Sequence, residues 1–480
     1  MLKDLKNSYA EELPELSKRC LPRNFENSKI LLRNYKLGNE LGFKKDFLDS
    51  DACLDIFCGK LQLEQSKSIA QAYSGHQFGR FNPNLGDGRA ILLGEINNLD
   101  IQLKGIGQTP FSRRGDGKSA LSPVLREYII SEFMYAAGIP TTRALLALKT
   151  NESVTRDTEL PGGILARVAN SHIRIGTFEF AAMQDTEILK KLTDYSIVRH
   201  YPELQNTNER YLKFFAAVCE SQTRLVSKWM NIGFIHGVMN TDNVTISGET
   251  IDYGPCAFMD YYDPKTVFSS IDVEGRYCYG NQPAILVWNL SKLAEVLIPI
   301  VDDKEQKSIE KLTEVLQAIM PSYEKYFYSE MGKKLGIDSI SQDNINLLQD
   351  YLKILDSNSI DFTLSFRDLS KILNKTKNIE DSVFKNSGDF KKWIKDWRIK
   401  IIPEKTNLID ITRKMDLTNP CYIPRNHIIE DALENAVNGD MTLINEILEL
   451  YQNPFTENED TEIFKKPTET NKPYVTFCGT

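Results

Sequence analysis

The chain has 480 residues, 41% of them hydrophobic and 26% charged, with a formal net charge of −8. That length exceeds what one core needs, so two lobes are expected, and the composition excludes wholesale disorder. The acidic balance offers no general basic surface for nucleic acid, and any phosphate chemistry requires a local basic pocket.

No apolar stretch runs unbroken for about 18 residues. The best candidate, Ala284 to Val301, is interrupted by Asn289, Ser291, Lys292 and Glu295, so no membrane span is expected. Met1-Leu2-Lys3-Asp4 lacks the apolar core of a signal peptide and the Arg-rich character of a transit peptide, which predicts a cytoplasmic protein. The eight cysteines (Cys20, Cys53, Cys58, Cys219, Cys256, Cys278, Cys421 and Cys478) form no CxxC pair and are expected to be reduced, buried apolar residues.

Turn signals crowd the segment from Tyr73 to Gly117, where Arg89 to Ile96 and Asp100 to Gly105 are β-rich runs separated by Asn97-Asn98. This pattern predicts a β-hairpin with Lys104 near the end of its second strand. Ser122-Pro123 then supplies an N-cap with proline at the first helical position. Val124, Tyr128, Ile129 and Phe133 repeat at helical spacing until Gly138 and Pro140, with Glu127 one turn in. A second helix is predicted from Glu209 to Asn231, stopped by Gly233, and it leads into Phe234-Ile235-His236-Gly237. Val244 to Ile246 and Thr250 to Asp252, around Ser247-Gly248-Glu249, read as a short hairpin. Residues 309–319, 344–355, 390–397 and 428–450 carry helical periodicity. The polar tail from Asn453 to Lys472 reads as an exposed arm whose tip, Tyr474 to Cys478, docks. The expected division is 1–145, a sheet-containing N-terminal lobe; 146–452, a helical C-terminal lobe; and 453–480, the tail.

Four parts of a protein kinase fall on this chain in order. Ile101-Gln102-Leu103-Lys104 stands for the strand lysine motif, and Glu127 for its helix partner. His236-Gly237-Val238-Met239-Asn240-Thr241-Asp242-Asn243 has the length of the catalytic loop, and Asp252-Tyr253-Gly254 stands for the metal-binding triplet. This predicts an α+β, protein-kinase-like bilobal fold, with Asn243 and Asp252 as oxygen ligands to Mg²⁺ or Mn²⁺. Valine at 238 accepts no proton, so the usual base is missing and Asp242 is the nearest replacement. The turns Leu85-Gly86-Asp87-Gly88-Arg89 and Arg114-Gly115-Asp116-Gly117-Lys118 suit close approach of backbone to phosphate. Arg167 and Arg174 are expected to clamp a terminal pyrophosphate, which presents the α-phosphorus to attack. Salt bridges to helix carboxylates are the plainer reading of both arginines.

His236 reads as a structural hydrogen-bonder and His427 as part of a packing corner, while His76 and His172 stay open.

Tyr73-Ser74-Gly75-His76-Gln77-Phe78-Gly79, Leu85 to Ala90, Gln102 to Gly105, Thr109 to Arg113, Gly138 to Ala144, His236 to Asn243 and Pro424-Arg425-Asn426-His427 together resemble the selenoprotein O family. The resemblance implies a pseudokinase fold that binds ATP in a flipped orientation and transfers AMP to Ser, Thr or Tyr of protein substrates. It implies nucleotide contacts from Gly86, Gly88, Arg89, Lys104, Asp116, Gly117, Arg167, Arg174 and Asp252. Asp242 matches the proton acceptor, Asn243 and Asp252 the metal ligands, and Glu127 the partner of the lysine. Cys478 holds the place of a terminal selenocysteine or cysteine and implies a redox tether whose partner, Cys256 and Cys278 included, stays open. The terminal Gly479-Thr480 departs from the family's usual ending. A monomer is expected. Two alternatives stand beside this reading: a uridylyltransferase using UTP, and a non-catalytic nucleotide-sensing scaffold.

Overall fold

The computed structural model describes residues 5–63, 67–402, 407–468 and 474–476. It begins with α1 (Ser8–Glu12), β1 (Ser17–Arg19), β2 (Lys29–Arg33), α2 (Tyr35–Glu40), α3 (Lys45–Leu48) and α4 (Asp51–Phe57). The glycine-rich cluster folds into β3 (Ile69–Gln71), β4 (Gly75–Gln77), β5 (Arg80–Asn82), β6 (Ala90–Ile96), β7 (Leu99–Lys104) and β8 (Ser119–Ala120). After α5 (Leu121–Ala136) come the long strands β9 (Arg143–Thr155) and β10 (Glu159–Ala169).

These strands form one antiparallel sheet in the order β1-β3-β6-β7-β10-β9-β2, with β8 paired to β10 and β4-β5 standing apart as a hairpin. The expected hairpin is present as β6-β7. Asn97 and Asn98 both take positive φ, 53° and 63°, as a two-residue turn matched to strand twist requires. Alternation then decides what each face does. Ile101 and Leu103 of β7, with Ile164, Ala166 and Val168 of β10, bury against Leu37, Leu41, Phe57 and their neighbours from α2–α4. The intervening Gln102 and Lys104 point to the opposite face, where Gln102 stands opposite Arg167 in register.

Three expectations are corrected. Helix α5 starts at Leu121 with Ala120 at its N-cap and no side-chain cap, so Ser122 and Pro123 lie inside the first turn. The reason is β8: Ser119 and Ala120 pair with Gly163 and Gly162, and the chain passes straight from strand to helix. The boundary expected at 145 falls inside β9, because the sheet continues to Ala169. The hairpin expected over 244–252 does not zip, because its arms pair outward. Thr245 bridges Arg174 and Thr250 bridges Thr141, while Ile246 N–H donates to the Ile173 carbonyl (3.1 Å) and Thr250 N–H to that of Pro140 (3.0 Å).

The rest of the chain is mainly helical: α6 (Ile175–Gln184), α7 (Thr186–His200), α8 (Arg210–Ile232), then β11 (Phe234–Ile235) paired to β12 (Ala257–Phe258), then α9 (Gln282–Val301). There follow α10 (Glu305–Gln317), α11 (Ile319–Lys334), α12 (Gln342–Ser357), α13 (Phe362–Leu373), α14 (Gly388–Ile401), α15 (Leu408–Thr418), α16 (Asn426–Val437) and α17 (Thr442–Tyr451). Helix α8 ends as expected at Gly233, which takes φ 73°.

The segment Tyr279–Val301 is the one stretch among the described residues long and apolar enough to cross a membrane. Here Leu286, Leu290, Leu293 and Leu297 are buried in the core, and Asn289 Nδ2 donates to the Met239 carbonyl at 2.9 Å.

Of the expected docking tip, residues 474–476 are described and do dock. Thr476 pairs with Ser269 and its Oγ1 donates to the Pro255 carbonyl at 2.7 Å. Tyr474 OH donates to Glu430 Oε1 (2.5 Å) and accepts from Arg126 Nη1 (3.2 Å). Cys478 lies outside the described residues. Cys256 is buried, and burial pushes its thiol up to about 12.

Candidate active site

The site grows from the sheet face opposite the α2–α4 core. Lys104 leaves β7 toward α5 and meets Glu127 Oε2 at 2.6 Å. Arg167, two residues before the end of β10, shares that face and reaches Glu127 Oε1 at 3.1 Å and Gln102 Oε1 at 2.5 Å. Arg174 sits at the N-cap of α6 with its guanidinium 4.6 Å from the Tyr73 ring centroid.

These three cations converge on Asp252. Its Oδ1 accepts from Lys104 (2.9 Å) and Arg167 (2.7 Å), and its Oδ2 accepts from Arg174 (2.6 Å). Burial works to raise the Asp252 carboxyl, but Lys104, Arg174 and Arg167 hold it well below the usual carboxylate range. Asp252 takes φ 60°, a left-handed backbone disfavoured for any side chain other than glycine and retained where the surroundings over-determine it.

The catalytic-loop segment lies opposite. Arg174 Nη1 donates to the Asp242 carbonyl at 2.7 Å. The Asp242 side chain is buried; its Oδ2 accepts from Gln77 Nε2 at 3.3 Å, and its Oδ1 has no hydrogen-bond partner. Burial pushes its carboxyl up to about 7, with Arg174 opposing. Asn243 Nδ2 donates to the Val238 carbonyl at 3.0 Å, which fixes its amide within the loop. His236 is structural, as expected: it is fully buried and pairs through Nε2 with the Ile251 carbonyl at 2.9 Å.

A cleft of about 860 Å³ joins these groups. Gly86, Gly88, Arg89, Lys104, Asp116, Gly117, Arg167, Arg174, Asp242, Asn243 and Asp252 all line it, and Glu127 stands behind Lys104. Packing inside the protein also requires glycine at two of these positions. A Cβ at Gly86 would run into the Phe111 ring, and one at Gly117 into the Gly107 backbone; both residues take positive φ. Asp116 holds Arg156 (3.0 Å to Nη1) and the Lys118 N–H (2.9 Å).

The β4-β5 hairpin is a part that sequence reasoning did not place. It is sewn to the catalytic loop: His76 N–H donates to Thr241 Oγ1 (2.7 Å) and Phe78 N–H to Asn240 Oδ1 (3.1 Å). Glu179 of α6 joins both, through His76 Nδ1 at 2.5 Å and Thr241 Oγ1 at 2.6 Å. A Cβ at Gly75 would collide with the Asp242 carboxylate. Arg156, in the β9-β10 turn, was also missed. The motif Tyr73 to Gly79 was the only signal for the hairpin, and nothing marked Arg156.

The family described as "Protein adenylyltransferase SelO" matches residues 2–452. The chain belongs to the SelO family. Relatives named "Protein nucleotidyltransferase YdiU" align along its full length. The one from Cereibacter sphaeroides is 47% identical over 99% of both chains. The one from Bacillus thuringiensis is 46% identical over 99% of this chain and 98% of its own. Family membership makes the chain a nucleotidyltransferase.

Proposed function

We propose that the protein transfers AMP from ATP to Ser, Thr or Tyr hydroxyls of protein substrates, on a kinase-like bilobal scaffold, with a divalent cation. The observation that carries this is the polarity of the cleft. The three phosphate-seeking cations Lys104, Arg167 and Arg174 are 13%, 2% and 4% exposed. They gather at its buried end, and Asp242 lines the same cleft. A triphosphate whose β and γ groups enter first replaces Asp252 as the counter-charge of the arginines and leaves its α-phosphorus beside Asp242.

In that pose the acceptor oxygen bonds to the α-phosphorus, the bond from that phosphorus to the bridging oxygen breaks, and pyrophosphate leaves. The acceptor proton passes to Asp242, whose burial tunes it toward neutral pH, where a general base works best. Lys104, Arg167 and Arg174 stabilise the charge that builds on the leaving group.

Among the described residues no group of three His, Cys, Asp or Glu is placed to hold a metal. Asp252 and Asn243, with phosphate and water, fit the sparse protein ligation of Mg²⁺ or Mn²⁺ at phosphate sites. The cation would neutralise phosphate charge and fix the triphosphate's orientation.

The test is incubation with a protein acceptor and ATP labelled at either the α or the γ phosphorus, followed by intact mass. Transfer of the α label with an AMP increment supports the reading. Transfer of the γ label alone overturns it, and a UMP increment from UTP in preference to ATP replaces adenylyl with uridylyl transfer.

A further inference from the structure

One partly buried cation beside the catalytic loop has no carboxylate partner among the described residues. Arg276 lies on a turn fixed by Asp272, whose carboxylate accepts the backbone N–H groups of Arg276 (2.9 Å) and Tyr277 (2.8 Å). The guanidinium rests 4.7 Å from the Trp288 ring centroid. It also backs onto the β4-β5 turn, where a Cβ at Gly79 would stand 3.7 Å from its Cζ. Its Nε and Nη2 are buried without an acceptor, and among the described residues no carboxylate pairs with it. Other buried arginines have a carboxylate partner, even where a buried Nε is left without an acceptor as in Arg167 and Arg174: Arg425 pairs with Asp361 at 2.7 Å, Arg199 with Asp100 at 2.6 Å, and Arg167 and Arg174 with Asp252. A buried donor left unmade costs free energy and points to a ligand group that completes it.

The position says which ligand. Tyr277 OH donates to Asn240 Oδ1 at 2.6 Å, two residues before Asp242, and Phe78 of the hairpin uses the same oxygen. Arg276 does not line the cleft that holds Lys104, Arg167 and Arg174. It packs on the hairpin turn at Gly79, the residue before the exposed Arg80. An anion there is therefore not the triphosphate but a group carried by what approaches Asp242 from outside.

Resting on the adenylyl-transfer reading, we propose that Arg276 selects the acceptor. It takes the carboxylate of an Asp or Glu flanking the target hydroxyl in the polypeptide substrate. A guanidinium stacked on an aromatic shelf loses little freedom on binding and presents a planar fork to a carboxylate.

Peptides with a single Ser and either Glu, Gln or Lys at the flanking positions, assayed with α-labelled ATP, test this. The wild-type enzyme is expected to prefer Glu over Gln by about tenfold in kcat/KM, the scale of one charge-assisted hydrogen bond. Arg276→Glu is expected to invert the order toward Lys peptides while its thermal shift with ATP is retained. Arg276→Gln, a milder change should the reversal fail to fold, is expected to level the three peptides. A Glu preference that survives in either variant overturns the proposal, as does wild-type transfer without flank preference. Absence of α-label transfer to every peptide and protein would instead remove the adenylyl-transfer reading, and the acceptor site with it.

Discussion

Asp252→Asn separates the two duties of that side chain. The substitution keeps its shape but removes the negative charge that Lys104, Arg167 and Arg174 share at 2.9, 2.7 and 2.6 Å. Deleting one partner of a buried ion pair costs about 3–5 kcal/mol. Glu127 remains on Lys104 and Arg167, so the lower end, about 3 kcal/mol, is expected. With an unfolding entropy of about 1 kcal/mol/K for a chain this long, Tm falls by about 3 °C. ATP added in a metal chelator supplies the missing negative charge, so it should raise Tm more in the variant than in the wild type, while α-label transfer is lost. Differential scanning fluorimetry with and without ATP, run beside the transfer assay, reads both. An unchanged Tm, an equal ATP shift in the two proteins, or transfer surviving within tenfold would refute the view of Asp252 as the charge that ATP displaces.

Gly75→Ala drives a methyl group at the Asp242 carboxylate. Transfer is expected to fall about 100-fold, the scale of an ångström of misplacement, with ATP affinity by calorimetry kept. Lys334 is fully buried, its amine pushed down to about 7 by burial, and it donates to the Asn231 carbonyl at 2.5 Å. The unfolded chain then binds more protons than the folded one from about pH 7 to 10, so stability rises with pH across that window. Phe362 and Phe366, 4.9 and 4.0 Å from its Nζ, favour the charged form by about 1–2 kcal/mol. Lys334→Met is therefore expected to stabilise by about 2 kcal/mol at pH 7, with the gain gone at pH 10 in urea melts. Tyr474→Phe removes the bonds to Glu430 and Arg126; a loss of about 1 kcal/mol and a few-fold drop in transfer are expected, and unchanged kinetics would show the contact to be incidental to the site.

The local signals that named residues correctly were those with a short-range cause. Asn97-Asn98 closes a tight turn whatever surrounds it, and Gly233 ends α8 because glycine takes the left-handed cap without steric cost. Lys104 lines the cleft, and Gln102 shares its side of the sheet, because alternation along β7 leaves them no other side. The misreadings share a long-range cause. Ser122-Pro123 looks like a cap until β8 is paired with β10 more than 40 residues away, and the 244–252 hairpin looks closed until its arms find Thr141 and Arg174. The run Ala144 to Leu148 lies in β9, but an apolar stretch of that length is as good a buried helix as a strand. The hairpin at Gly75 to Asn82 and the Arg156–Asp116 pair depend on contacts far apart in the chain, which no window of sequence contains.

The strap at Tyr474 to Thr476 has a consequence for biosynthesis. Its partners Arg126 and Pro255 precede it by 348 and 221 positions, so everything else in the nucleotide cleft is translated before the residues that fasten its rear wall. A nascent chain carrying every group that lines the cleft still lacks that last fastening until residues 474–476 have been added.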